Sequence, residues 1–239
     1  MSRVADDFYL IAHDEWSGRS QIAPRAVRLG LAAAILAELM LDGHLRVWEG
    51  GLFPGEASLP PEDRMLRHVL TSVQAPLSER SVEPWLAFLA IGAVDLVRGR
   101  LVAEGLVTPV MVRNVVGRRQ CRHLPTNRNI AAWPSIRLAK HLSAGLVLSA
   151  GDLMLTGLVE ITGLLGAVLW CKLDHVQGWD RAGQVRGELP ADLAALVAFT
   201  DAAIRRSARP PLRRTVPVPA FGRLTPNGPL DSERGGGWR

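Results

Sequence analysis

Between Pro24 and Gly43 apolar side chains occupy nearly every side of a helical projection. Val27, Leu31, Ala34, Ile35 and Leu39 form one face, and Leu29, Ala33, Leu36 and Met40 the other. Glu38 interrupts the first face. A helix apolar all round is buried in protein or in membrane. This one is too short and too interrupted for a bilayer, which needs about 20 apolar residues. The pattern therefore predicts the central helix of an α-helical core. Pro24 suits a first turn, where the missing N–H costs nothing. Gly43 suits the left-handed position after the last turn.

Other segments arrange themselves around that helix. Val4–Ala12 reads as a short apolar helix or strand, closed by turn-prone residues at Asp14–Ser20. Leu45 and Val47 alternate with polar neighbours, and Glu49-Gly50-Gly51 turns the chain into a short hairpin ending near Phe53. Pro54–Pro61 is a loop. Glu62–Gln74 has the spacing of an amphipathic helix, with Met65, Leu66, Val69, Leu70 and Val73 on one face. Pro84 opens a long helix, Trp85–Glu104, with Gly105 as its cap. Leu106–Leu124 is the most strand-like stretch, rich in valine, with Asn114 or Gly117 to supply a turn. Helix returns at Asn127–Ser143, kinked or restarted at Pro134, and a helical hairpin at Ser149–Cys171 breaks near Gly163 or Gly166. Leu173–Gly187 reads as a mixed loop and Pro190–Arg206 as a terminal helix. The predicted class is mainly α: a helical bundle around a central buried helix, with one or two short β-hairpins. Residues 1–206 form this domain. From residue 207 to 239 the chain is rich in Pro, Gly and Arg, and such a composition predicts a disordered tail.

Composition sharpens this picture. Of 239 residues 48% are hydrophobic but only 5% aromatic, which suits an Ala/Leu-filled helical interior better than a β-sandwich. The net charge of +5 allows an anionic partner, lipid or nucleic acid. Cys121 and Cys171 are too few for a disulfide framework, and a reducing interior is expected. The acidic N-terminus lacks the pattern of an export signal. The most lipid-like window, Leu153–Cys171, contains Glu160, and a charge at mid-membrane costs about 2.5–3.5 kcal/mol. It reads as a buried helix pair.

Catalytic constellations are absent from the pattern. The six histidines are scattered without metal-ligand spacing, and no phosphate-binding loop or nucleophile elbow occurs, so no metal, cofactor or catalytic residue is expected. Asp6, Asp7, Asp14 and Glu15 read as a solvated helix end favoured by the dipole. Glu38 reads as half of a structural ion pair with an arginine. The strand-like stretch is more telling. Arg113, Arg118, Arg119 and Arg122 surround Val112, Val115 and Val116. Such a hairpin docks on an acidic membrane, apolar groups entering the interface while guanidinium groups hold phosphates, or it is a solvated edge that discourages aggregation. Arg25 and Arg28 at the start of the central helix offer an anion-binding corner or plain surface charge. Trp16, in a loop, stacks on a headgroup or covers the core.

Several of these segments also carry a resemblance. Ala37-Glu38-Leu39-Met40-Leu41-Asp42-Gly43-His44-Leu45-Arg46-Val47 resembles the E-L-x-L-x-G-[RK]-L segment of the Golgi phosphoprotein 3 family, including its actinobacterial members. Asp6–Glu15 with Gly18-Arg19, Arg100–Val107 and Arg122–Thr126 resemble further family segments in the same order, over roughly residues 4–206. The resemblance implies a mainly helical fold with a projecting hairpin. Eukaryotic members are peripheral membrane proteins that bind phosphatidylinositol 4-phosphate, insert an apolar hairpin into the bilayer and link glycosylation enzymes to vesicle coats. By the same alignment the family's headgroup-binding positions fall on Ala23, Ala32, Ile91 and Val94, leaving Arg25, Arg28, Arg98 or Arg100 to meet a different anion. The expected function is therefore that of a non-enzymatic, cytoplasmic, peripherally membrane-associated protein. Its expected partner is an anionic phospholipid or phosphoinositide-like headgroup, with a protein partner or a homo-oligomer beside it. An enzyme or small-ligand-binding protein on the same scaffold ranks second, and a nucleic-acid binder last.

Overall fold

The computed structural model describes residues 3–74, 80–113, 117–169 and 175–208. The central helix of the sequence pattern is α2, Pro24–Leu41. It is enclosed by α1 (Val4–Ala12), α3 (Arg64–Gln74), α4 (Val82–Ala103), α6 (Ala150–Thr162) and α9 (Ala191–Ala208). Fourteen residues of α2 are buried, from Ala26 to Met40 apart from Arg28. Its alanines let neighbouring helices approach closely, and Leu31, Ile35, Leu36 and Leu39 fill the space between them.

Gly30 sits mid-helix for a steric reason. A Cβ there would lie 2.4 Å from Cζ of Phe8, so the ring of α1 rests directly on the α2 backbone. At the far end Gly43 takes a left-handed φ of 74°, and the amide of His44 donates to the carbonyl of Leu39 at 2.8 Å, closing the helix. The chain then enters β1 (Leu45–Trp48) and β2 (Gly51–Pro54), an antiparallel hairpin. Glu49 and Gly50 both have positive φ, as a tight two-residue turn requires.

α3 begins where the Asp63 carboxylate accepts from the amides of Met65 and Leu66. α4 begins at Val82, two residues before Pro84; the proline is still in the first turn, where its N–H is not needed. Gly105, φ 70°, ends α4 and leads into the second hairpin, β3 (Val107–Arg113) and β4 (Arg119–Pro125), paired antiparallel. The Asn127 side chain caps α5 (Arg128–Ser143), which continues through Pro134 without restarting. Ser149 caps α6, and Gly163, φ 82°, separates it from α7 (Leu165–Leu169). Among the described residues no helix is long and apolar enough to cross a membrane.

One segment departs from the sequence reading. Leu173–Gly187, taken there as a loop, contains α8, His175–Glu188. Three glycines hid it. Packing supplies what propensity lacks: Ala182 and Val185 are buried, and the Leu169 side chain lies where a Cβ on Gly178 would be, 2.8 Å away. α9 extends to Ala208, and the tail read from the composition, with Cys171, lies outside the described residues.

Replacing Gly30 by Ala should therefore destabilise the protein, although alanine is favoured in helices by about 1 kcal/mol. Overpacking against Phe8 should cost about 1–3 kcal/mol in urea unfolding. The Phe8→Leu/Gly30→Ala pair should lose less than the sum of the two single changes.

Candidate anion-binding site and basic hairpin

β3 and β4 form a ladder from Val107 opposite Pro125 to Arg113 opposite Arg119. Only Val107, at the base, is buried, and the strands stand out from the helical body. Arg113, Arg118 and Arg119 are exposed near the free end, and Gly117 there has a φ of 78°. Val115 and Val116, named as the apolar tip, lie outside the described residues. From Gly105 to Gly151 the sequence has seven Arg or Lys and no Asp or Glu. The hairpin and α5 thus form a run without internal charge compensation.

The base of the hairpin is clamped to the loop between α1 and α2. The Arg122 guanidinium donates to the Ser17 carbonyl at 2.8 Å. Gly18, φ 62°, comes so close that a Cβ would lie 2.6 Å from the His123 carbonyl oxygen. Beside this junction is a cavity of about 280 Å³ whose polar lining includes Arg19, Arg98, Arg122, His13 and His123. Arg98 also pairs with Asp95. Burial and the neighbouring Arg98 charge hold both imidazoles below their ordinary pKa, so they are neutral near pH 7. His13 stacks on Tyr9 and donates from Nδ1 to the Tyr9 carbonyl at 2.8 Å. Several guanidinium groups and neutral hydrogen-bonding rings around one small cavity suit a phosphate-sized anion.

The residues chosen from the sequence are distributed differently from expectation. Arg98 and Arg122 come together at this cavity. Arg25 and Arg28 are exposed on the first turns of α2, and neither lines it. Arg100 is a correction: it is only 8% exposed, and its guanidinium belongs to the core rather than to any lipid-facing surface. At the positions matching the family's headgroup contacts, Ala32 is fully buried, Ala23 precedes α2 and Ile91 is exposed on α4. Arg98 lies two turns beyond Ile91 on the same side of α4. Arg19, His13 and His123 were not singled out, because their meeting depends on three segments distant in sequence. The i,i+4 spacing of Tyr9 and His13 is the local signal.

Arg100 instead holds the ion pair expected for Glu38. Its Nη1 and Nη2 donate to the two Glu38 oxygens at 2.8 and 3.1 Å, and its Nε to Asp6 at 2.9 Å. Glu38 also accepts from the Ala5 amide at 2.8 Å, satisfying the first turn of α1. Nearby, Arg137 of α5 joins Asp7 of α1 at 2.9 Å to Asp152 of α6 at 2.8 Å. Asp6 and Asp7 are therefore buried structural carboxylates, not a solvated helix end. The Arg100 guanidinium faces the buried carboxylates of Glu38 and Asp6 and, at 3.5 Å, that of Asp63. Burial outweighs the attraction of Arg100 and raises Asp6 to about 7, with Glu38 and Glu104 adding to the rise. A cleft of about 960 Å³ opens beside Glu38, Asp7 and Asp152. Among the described residues no three His, Cys, Asp or Glu side chains are placed to hold a metal ion.

A protein-family model described as Golgi phosphoprotein 3 (GPP34) matches residues 4–209. Comparison with curated proteins gives no match.

The raised Asp6 pKa sets a sign for the effect of pH. Between the unfolded carboxylate value of about 3.9 and the folded value of about 7, the folded state keeps a proton that the unfolded chain has released. Asp6 stabilisation is full below that window and is lost as pH rises through it. Urea unfolding at pH 5 and 7.5 should show a smaller decline for Asp6→Asn than for the unaltered protein. Glu38→Ala, which leaves Arg100 only Asp6 and Asp63 and removes the acceptor of the Ala5 amide, should cost less than the roughly 3–5 kcal/mol of a fully unpaired buried charge, but more than about 1 kcal/mol in urea unfolding.

Proposed function

The chain belongs to the Golgi phosphoprotein 3 family, and from that premise we propose that it is a non-enzymatic protein docking on the surface of an anionic membrane through the β3–β4 hairpin. The observation that carries the reading is the projection of an arginine-bearing hairpin, without acidic residues, from a helical body whose own buried acids are paired. An arginine near an anionic leaflet contributes about 1 kcal/mol. Arg113 and Arg119 together reach about 2 kcal/mol on that scale, a factor of roughly 30 in affinity. Met111, 62% exposed, and Val110 add apolar surface on the same strand. The cavity at the hairpin base then takes the phosphate of a phospholipid or phosphoinositide-like headgroup, with Arg98, Arg19 and Arg122 as donors. The protein acts on the cytoplasmic side in this reading.

A second reading, a small-ligand-binding or enzymatic protein, has the cleft beside Glu38 in its favour. Both oxygens of Glu38 already accept hydrogen bonds from Arg100, however, and Asp7 and Asp152 are joined through Arg137. Those pairs account for the acids as structural groups.

Co-sedimentation with phosphatidylcholine vesicles, with and without 30 mol% phosphatidylglycerol (roughly the charge density of an anionic leaflet), tests the proposal. Binding should require the acidic lipid and weaken as salt is raised. Arg113→Glu/Arg119→Glu should abolish it, while Arg98→Ala should selectively weaken binding to vesicles doped with a phosphorylated inositol lipid. Equal binding to neutral vesicles, or undiminished binding by the double variant, would overturn it.

A further inference from the structure

α5 presents apolar residues on both of its sides. Ala131, Pro134, Leu138 and Leu142 are buried against the bundle. Ile130, Trp133 and Ile136 follow one another at three-residue intervals on the opposite side and remain 48%, 57% and 48% exposed. An outward row of this kind gains nothing in water, so a contact is needed to account for it.

Two features tie α5 to the hairpin. β4 runs into α5 with only Thr126 and Asn127 between them. The Arg128 guanidinium, in the first turn of α5, lies 3.6 Å from the centre of the Trp16 ring, and Trp16, 63% exposed, lines a hollow with Val112 and Arg113 of β3. The outward row occupies a different side of α5 from Arg128 and carries exposed Lys140 on the same side as Trp133.

Charge selects the occupant. α5 contains no acidic residue. On α4 and at the end of β1, by contrast, exposed apolar groups have acids beside them: Phe88 and Ile91 share a face of α4 with Asp95, and Trp48 adjoins Glu49. A second copy of the chain meeting this face symmetrically would set like charges against each other with no acid to offset them. The headgroup boundary of an anionic bilayer provides what the face requires, apolar depth for tryptophan and isoleucine and phosphates for Lys140.

We infer that the Ile130–Trp133–Ile136 face of α5 is a second membrane contact lying in the headgroup–acyl boundary. The inference rests on the docking proposed above and adds a second contact to it.

An environment-sensitive fluorophore on cysteine tests the two contacts separately. One protein carries it on native Cys121, exposed at mid-strand in β4, in a Cys171→Ser background. Another carries it at Trp133→Cys, with Cys121→Ser and Cys171→Ser. Both are mixed with vesicles containing 30 mol% phosphatidylglycerol (roughly the charge density of an anionic leaflet) and then with the same vesicles bearing brominated acyl chains. The inference expects a blue shift and bromine quenching at both positions. A response at 121 with none at 133 overturns the α5 contact and leaves hairpin docking intact; no response at either overturns both. In the otherwise unaltered chain, Ile130→Glu/Ile136→Glu should weaken vesicle binding at least tenfold with unchanged circular dichroism. Unchanged affinity in that variant also overturns the inference.

Discussion

The Arg100 guanidinium, buried where three helices meet, sets the geometry on which the surface depends. It reaches Glu38 of α2 and Asp6 of α1 from near the end of α4. Glu38 in turn satisfies a first-turn amide of α1, so one carboxylate serves both an ion pair and a helix start. Arg137 does the corresponding work for α5, joining it to α1 and α6 through Asp7 and Asp152. Buried pairs of this kind contribute little net stability compared with a well-packed apolar core, but losing one partner leaves an expensive charge. Their role here is positional: the hairpin leaves the body soon after Arg100, and the outward face of α5 is fixed by Arg137.

That arrangement also sorts charge. Asp6, Asp7, Glu38 and Asp152 are turned inward onto two arginines, while the stretch between Gly105 and Gly151 has no acid of its own. A cationic surface then needs no unusual net charge, since +5 over 239 residues is modest. Its strength comes from where the acids are absent. The clamp of Arg122 on Ser17, with the close approach at Gly18, gives the projecting strands a firm base and creates the small arginine-lined cavity beside it.

Much of the architecture was legible because local and global signals agree. Pro24, the apolar run and Gly43 mark α2 in sequence as in structure, and Gly105 and Gly163 end helices where left-handed turns are needed. Glu38 was recognisable as half of an ion pair, but its partner was not. Arg100 lies 62 residues away among many arginines, and only the packing of α2 on α4 selects it. Asp6 and Asp7 looked solvated because acids in a first turn usually are, and nothing local reveals that α1 is buried on nearly all sides. α8 was missed for a related reason: its glycines argue against helix, and its burial argues for it only once α5 and α6 are in place. The exposed face of α5 was hidden by its buried one, since apolar residues on both sides of a helix read simply as core.

On this account the hairpin and the outward face of α5 both meet an anionic bilayer. Hydrogen exchange of the full chain, alone and bound to phosphatidylglycerol-containing vesicles, tests it most directly. Amides of residues 14–20, 107–125 and 128–136 should exchange more slowly on the vesicles, and those of residues 57–66 at the acid-lined cleft should not change. Protection centred on the cleft, or bound protein with no protection in the hairpin, would contradict the account.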